Sequence, residues 1–269
     1  MRVGLVQMSS SDDVAANLAH AERGVREAAE QGAVFIALPE MFAFLRREGG
    51  VFPCAQTIDD EIVGAVRTWA KQHGARILGG SFPERAEDGE RVYNTSVLVS
   101  PEGEIEAVYR KIHLFDVELG DRGGGTYRES ASIARGQDVV VARTPVGGIG
   151  LSICYDLRFP ELYRAQAAQG AHFLAVPSAF TPETGKDHWE VLLRARAIEN
   201  QAFVVAPAQC GRHSPDRTSH GRSLLIDPWG LVLAQLGDRP GVAVAECDLE
   251  EQERMRERLP ALRHRRLPH

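Results

Sequence analysis

Short apolar runs of strand length alternate with helical stretches from one end of this chain to the other, and that alternation restricts it to an α/β architecture. Residues 3–8 read as a first strand. Residues 12–30 read as a helix, because Val14, Leu18, Ala21, Val25 and Ala28 recur at helical spacing behind Ser and Asp capping candidates. A second strand over 33–38 runs into Pro39-Glu40, and a helix over 60–73 and a strand over 76–80 follow. Runs at 92–100 and 104–109 flank Pro101-Glu102-Gly103, a turn signal that predicts an antiparallel hairpin. The Gly-rich, polar stretch 120–136 reads as a loop. Beyond it come strands over 139–142 and 149–153, with Gly147, Gly148 and Gly150 as a hairpin turn, then a helix from Pro160, a strand over 172–176 and a helix over 186–201. Strands at 223–226 and 231–235 flank Asp227-Pro228-Trp229-Gly230, and 242–246 is the closing strand. No Ser/Gly linker or shift of composition divides the 269 residues, so we expect one domain over 1–269, with a C-terminal tail from about 258 that carries Arg263-His264-Arg265-Arg266 into solvent.

Bulk properties exclude several classes. With 43% hydrophobic and 25% charged residues the chain has the material for a core. Its 31 Lys and Arg against 37 Asp and Glu give a net charge of −6, which offers no broad field for nucleic acid. No run approaches the ~20 apolar residues of a membrane helix, and the N-terminus lacks a signal-peptide pattern, so the expected setting is the cytoplasm, away from membranes. The four cysteines, Cys54, Cys154, Cys210 and Cys247, are scattered with no CxxC pair, which supports neither a disulfide framework nor a zinc ribbon. The histidines are likewise too dispersed for a metal signature.

The stretch Gly150-Leu151-Ser152-Ile153-Cys154-Tyr155-Asp156-Leu157-Arg158-Phe159-Pro160-Glu161 carries the chemistry. A cysteine after such a run is by default a small buried hydrophobe. Here, however, polar and bulky residues follow at once, and Pro160 suits the first turn of a helix. Cys154 thus sits at a strand-to-helix junction, at the carboxyl end of a strand, where α/β proteins place their sites. A thiol with a pKa of about 8.5 needs a base to act as a nucleophile. An α/β-hydrolase elbow fails because positions 152 and 156 are Ser and Asp, and no signature of papain-like proteases surrounds Cys154. A carboxylate remains: Glu40 ends the apolar run Val34-Phe35-Ile36-Ala37-Leu38-Pro39. Lys111 follows a third strand-like run. Each of these two, alone, is an ordinary surface charge; together with Cys154 they form a convergent set past three strands.

In their order along the chain, Leu38-Pro39-Glu40-Met41-Phe42, Tyr109-Arg110-Lys111-Ile112-His113-Leu114-Phe115-Asp116 and the block around Cys154 resemble the motifs of the nitrilase superfamily, the carbon–nitrogen hydrolases with a Glu-Lys-Cys triad. The resemblance runs from the first strand to about Arg266. Within it, 185–199 looks like a helix of the Nit branch. Ala208-Gln209-Cys210-Gly211-Arg212-His213 and Asp227-Pro228-Trp229-Gly230 look more like the deaminated glutathione amidases than the neighbouring omega-amidases.

The resemblance implies a four-layer α-β-β-α sandwich, a homodimer or higher homo-oligomer paired through outer helices, and no cofactor or metal. It implies an amidase acting on a small 2-oxo-acid amide, deaminated glutathione ahead of 2-oxoglutaramate; a non-catalytic interaction protein with the same fold is the alternative from another class. Cys154 would be the nucleophile, Glu40 the general base, and Lys111 with the backbone N–H of Tyr155 the oxyanion holders, the Lys111 ammonium favouring the thiolate. Glu129, within Thr126-Tyr127-Arg128-Glu129-Ser130, matches the family's additional glutamate and would orient Lys111. Phe180 and Thr184 match positions that line the pocket. Arg158 is either a bidentate clamp for a substrate carboxylate or half of an ion pair with Asp156 or Glu161. Trp189, Leu192, Leu193 and Ile198 read as helix core.

Overall fold

Two β-sheets lie back to back in the computed structural model, which describes residues 1–47, 49–120 and 125–267. In chain order the first half contributes β1 (Arg2–Gln7), α1 (Val14–Glu30), β2 (Phe35–Ala37), α2 (Glu61–His73), β3 (Arg76–Leu78), β4 (Phe82–Arg85), β5 (Val92–Val99), β6 (Ile105–Arg110), β7 (Asp116–Glu118), β8 (Thr126–Arg128) and β9 (Ile133–Ala134). The second half contributes β10 (Val141–Thr144), β11 (Gly147–Leu151), α3 (Pro160–Ala168), β12 (Ala171–Ala175), α4 (Pro182–Asn200), β13 (Phe203–Ala206), β14 (Cys210–Ser214), β15 (Arg217–His220), β16 (Leu224–Ile226), β17 (Val232–Gln235), β18 (Gly241–Glu246) and α5 (Leu249–Arg258).

The first sheet runs β18-β1-β2-β3-β5-β4, with β6 and β9 also paired to β5; the second runs β10-β11-β12-β13-β16-β17. In each, three central strands are parallel (β1-β2-β3 and β11-β12-β13) and the flanking pairs antiparallel. Helix crossovers between parallel strands cover the outer faces. One core packs α1 and α2 on the first sheet, through residues such as Ala21, Val25, Val66 and Ile77. A second packs α3 and α4 on the other, through Leu162, Trp189, Leu193 and Val204. The third lies between the sheets, from Leu5, Phe35 and Leu98 to Ile149, Phe173 and Val205. Phe35 on β2 meets Phe173 on β12 edge to face at 6.0 Å across it. The resulting order of layers is α-β-β-α, as expected.

Local chemistry explains the elements. Asp13 caps α1 by accepting from the Ala16 N–H at 3.0 Å. The close fit of α1 depends on Gly24, where a Cβ would stand 2.4 Å from Val6 Cγ1 on β1.

Four readings need correction. The described part of 120–136 is not loop throughout: β7 and β8 form an antiparallel ribbon and β9 joins the first sheet, so local composition was outweighed by pairing with distant strands. The remainder of the Gly123-Gly124-Gly125 run, at 123 and 124, lies outside the described residues. Gly147, Gly148 and Gly150 are not a turn but part of β11, the turn lying at 145–146. They are small because neighbours press on the strand: a Cβ on Gly148 would stand 2.3 Å from the Gly170 carbonyl oxygen, and one on Gly150 2.6 Å from Gln166 Oε1. The helix expected from 186 begins at Pro182, a residue suited to the first turn. Ile198, expected in the core, is 51% exposed, whereas Trp189 and Leu193 are buried.

Candidate active site

Three chain segments bring the site together, each just past a strand. After β2 the backbone continues through Leu38 and Pro39 to Glu40, then turns at Met41, a non-glycine residue with φ of 51°. The turn is held by the Met41 N–H donating to Ser81 Oγ (2.9 Å) and by Gln209 Nε2 donating to the Glu40 carbonyl (3.0 Å). Gly80 packs under it, where a Cβ would lie 2.0 Å from the Pro39 carbonyl oxygen. Lys111 directly follows β6, its N–H bonded to the Asn94 carbonyl at 2.9 Å.

Cys154 follows β11 at a φ of 49°, a left-handed conformation rare for a residue with a Cβ. It opens a short 3-10 turn, Cys154–Arg158, and its N–H donates to the Pro177 carbonyl at 3.0 Å. The turn is anchored by Asp156, which has no exposed surface. Its carboxylate accepts from the Ile153 N–H (2.8 Å), the Tyr109 hydroxyl (2.6 Å) and the His113 N–H (3.1 Å), and contacts His113 Nδ1 at 2.7 Å. One buried carboxylate thereby ties the segment bearing the thiol to the segment bearing Lys111.

The side chains converge in one pocket, which is lined among others by Glu40, Lys111, Glu129, Cys154, Tyr155 and Arg158. Lys111 Nζ lies 3.1 Å from Glu40 Oε1 and 2.9 and 3.0 Å from the two oxygens of Glu129. Glu40 also accepts from Asn94 Nδ2 and from the Ala179 N–H, both at 2.8 Å. Glu129 accepts from the Phe115 N–H at 2.6 Å. Glu40 and Lys111 are buried, at 5% and 2% exposure.

Electrostatics fix the resting protonation. Burial pushes the Glu40 carboxyl up, but the Lys111 charge and the hydrogen bonds from Cys154, Lys111 and Asn94 outweigh it, so its pKa lies below the usual 4.5. Burial alone would lower Lys111; the carboxylates of Glu129 and Glu40 hold it above its ordinary value instead. Cys154 is pushed well up by burial and by the Glu40 charge, which together exceed the opposing pull of Lys111. The Lys111 ammonium does favour the thiolate, as expected, but burial and Glu40 outweigh it: at rest the set is a neutral thiol, a carboxylate and an ammonium. A neutral thiol beside an ionised carboxylate is an arrangement in which the carboxylate can act as base for the sulfur.

The other expected residues also line this pocket. The Tyr155 ring meets Phe115 at 5.0 Å and Phe159 at 5.4 Å. The Arg158 guanidinium lies 5.4 Å from the Phe180 ring and 5.8 Å from that of Tyr155, with Nη1 3.2 Å from His188 Nδ1. Among the described residues it forms no ion pair with Asp156 or Glu161, so the ion-pair alternative falls away; Asp156 is occupied elsewhere. Phe180 is buried against Trp189, and Thr184, in the first turn of α4, bonds Thr181 through their hydroxyls at 3.0 Å.

Sequence reasoning missed Asn94, Arg46 and Arg217, which also line the pocket. Asn94 did leave a signal, since an asparagine inside the apolar strand β5 needs a polar partner. The arginines left none. Cys210 and Cys247 are buried away from this site. Among the described residues no group of three His, Cys, Asp or Glu side chains is arranged to hold a metal ion, and no helix is long and apolar enough to cross a membrane.

The chain is 46% identical over 263 residues to a deaminated glutathione amidase of Synechocystis sp., covering 97% of this chain and 96% of that protein. Its fold matches the crystal structure of the Caenorhabditis elegans NitFhit protein with a TM-score of 0.89 at 37% identity, over 98% of this chain; the match spans 65% of that longer chain. It also matches Nit3 of Saccharomyces cerevisiae, described as a member of branch 10 of the nitrilase superfamily, with a TM-score of 0.85 at 29% identity, over 99% of this chain and 97% of that one. Residues 2–257 match the family described as carbon-nitrogen hydrolase.

Proposed function

This chain belongs to the carbon–nitrogen hydrolase family, and on that footing we propose that it is an amidase cleaving a small 2-oxo-acid amide, deaminated glutathione, through a cysteine thioester. The observation that carries the reading is the convergence of Cys154, Glu40 and Lys111 in one pocket, with Lys111 Nζ 3.1 Å from the Glu40 carboxylate.

Glu40 takes the thiol proton as sulfur attacks the amide carbon. The charge that develops on the carbonyl oxygen is held by Lys111 and the Tyr155 N–H; one such donor is worth about 3–4 kcal/mol of barrier. Glu40 then gives its proton to the leaving nitrogen, and the C–N bond breaks to leave a thioester. The same carboxylate deprotonates water, which releases the 2-oxo acid and returns the proton to sulfur. Glu129 orients Lys111 and keeps it charged. Arg158 takes a substrate carboxylate, while Phe180 and Thr184 flank the acyl chain. The working unit is one domain over 1–269, with a tail from about 258, in a homodimer or higher oligomer.

A deaminated glutathione preparation incubated with the protein should release cysteinylglycine and 2-oxoglutarate, and Cys154→Ala should release neither. Faster turnover of 2-oxoglutaramate than of deaminated glutathione would make the protein an omega-amidase instead. An intact protein with no acyl adduct and no product from either amide would make it a non-catalytic member of the fold.

A further inference from the structure

The lining of the pocket is mixed in charge. Around Lys111, held between two carboxylates, it is net negative; elsewhere it carries the partly exposed Arg158 and Arg217 and the buried Arg46 against one carboxylate, Asp216. Arg158 comes from the turn that bears the nucleophile. Arg217 opens β15, on a separate β14–β15 ribbon, and its Nη1 donates to the Arg46 carbonyl at 2.9 Å. Among the described residues neither Arg158 nor Arg217 forms a close ion pair with a carboxylate; Asp216, whose hydrogen-bond partner is the Ser214 hydroxyl, feels the Arg217 charge only at longer range.

The ribbon is fixed to the body rather than loose. The Cys210 N–H donates to the Met8 carbonyl at 2.7 Å, and the His220 N–H to the Phe180 carbonyl at 2.8 Å. Helix α4 presses directly on its far end, since a Cβ at Gly185 would stand 2.3 Å from the His220 ring. A half-buried arginine on such a ribbon has a set position relative to Phe180 and the pocket.

We propose that Arg217 binds the terminal carboxylate of the leaving group and so makes the protein prefer an amide that extends into a dipeptide over a simple primary amide. The proposal rests on the amidase reading above. Deaminated glutathione carries a carboxylate on each side of the scissile bond, one on the 2-oxo-acyl half and one on the glycine of the leaving half. From the scissile nitrogen to that glycine carboxylate is two residues, ~7 Å extended. Two separate, partly exposed guanidinium groups in the lining, Arg158 and Arg217, match two separate carboxylates, and a guanidinium recognises a carboxylate bidentately. 2-Oxoglutaramate has only the acyl-side carboxylate and leaves Arg217 without a partner.

The test compares deaminated glutathione with its analogue in which the glycine carboxylate is a carboxamide, following release of 2-oxoglutarate. The wild type should favour the free acid in kcat/KM by about tenfold or more, through KM. Arg217→Gln should abolish the preference, and Arg217→Lys should keep part of it. Because the readout is a ratio of two substrates on one preparation, partial misfolding of a variant does not alter it. Equal use of both compounds by the wild type, or an undiminished preference in Arg217→Gln, overturns the assignment while leaving the amidase reading intact. Failure of the wild type on both compounds and on 2-oxoglutaramate overturns the two together.

Discussion

Lys111 Nζ is equidistant, within 0.1 Å, from both oxygens of Glu129 at 2.9 and 3.0 Å, so its ammonium is gripped by Glu129 as well as by Glu40. Three donors on nitrogen cannot all point at one carboxylate, and the grip fixes which one faces Glu40 and the substrate. Glu129→Ala should lower kcat by more than about tenfold with little change in KM, because a positioning group acts on the transition state. Glu129→Gln should recover part of the loss through its amide oxygen. A change confined to KM would contradict this role.

Lys111 itself has no substitute. Lys111→Met should cost about 10²–10³ in kcat, the value of one oxyanion donor. It also leaves Glu40 and Glu129 facing each other with no cation, which drives a proton onto one of them. Lys111→Arg should not rescue activity, since a planar guanidinium does not fit a socket that leaves the side chain 2% exposed. Steady-state kinetics on the three proteins, with folding checked by circular dichroism, decides the matter.

The pH dependence follows from the shifts at the site. In the proposed mechanism Glu40 acts ionised, and its folded pKa lies below 4.5, so kcat/KM should fall on the acid side only beneath the ordinary carboxylate range. Stability follows by linkage. A depressed carboxyl contributes stability above its unfolded value, and the contribution is lost as pH falls through the folded value. Lys111 is raised, so its contribution is complete below 10.5 and is lost as pH climbs through its higher folded value. The Tm difference between the wild type and Glu40→Gln should therefore hold level from about pH 5.5 to pH 9.5 and shrink below pH 4.5. A difference that grows toward acid pH would contradict the protonation states assigned here.

Asp156 should matter more for folding than its absence from the chemistry suggests. Replacing it by Ala leaves the Tyr109 hydroxyl, the Ile153 N–H and the His113 N–H without their acceptor in a buried site, a loss on the order of 3 kcal/mol. Thermal unfolding should shift down by roughly 6–12 °C. Asp156→Asn, which keeps one acceptor oxygen, should lose less. An unchanged Tm for Asp156→Ala would show that the turn at Cys154 is held by other means.

Val191, Ile198, Trp229 and Leu231 are exposed, with Gly230 packed on the Ile198 side chain, so the turn after β16 and the outer face of α4 present one apolar surface. We expect a second copy of the chain to cover it. Light scattering should give a multiple of 29.5 kDa, and Trp229→Glu should reduce the mass or weaken the assembly. A monomer at micromolar concentration would remove the basis for the expected oligomer.

Much of this site could be read before any fold was known, because Glu40, Lys111 and Cys154 each stand at the end of an apolar run with a distinct local pattern. Alternating strand and helix periods likewise identified α1, α2 and the β5–β6 hairpin within a few residues. Other features were invisible for physical reasons. The short strands β7, β8 and β9 have neither length nor periodicity, and exist only because distant partners supply hydrogen bonds. β11 was misread because glycines chosen for close packing look locally like a turn. Ile198 fits the helical stripe of α4 by spacing yet faces outward, since spacing does not say which neighbours a helix will find. Arg217 sits in polar surroundings along the chain, and only the return of the β14–β15 ribbon brings it to the pocket, while Arg46, after the apolar run 41–45, has no local pattern that marks it.

Glu40 and Lys111 are carried by the first sheet and Cys154 by the second, so the apolar interface between the two is a clamp on the chemistry itself. A sideways slip of one sheet by a fraction of a residue step, ~3.3 Å per residue, would part acid from sulfur while leaving every strand intact. Turnover is thus a gauge of docking rather than of secondary structure, and on gentle denaturation it should vanish while the far-ultraviolet signal persists.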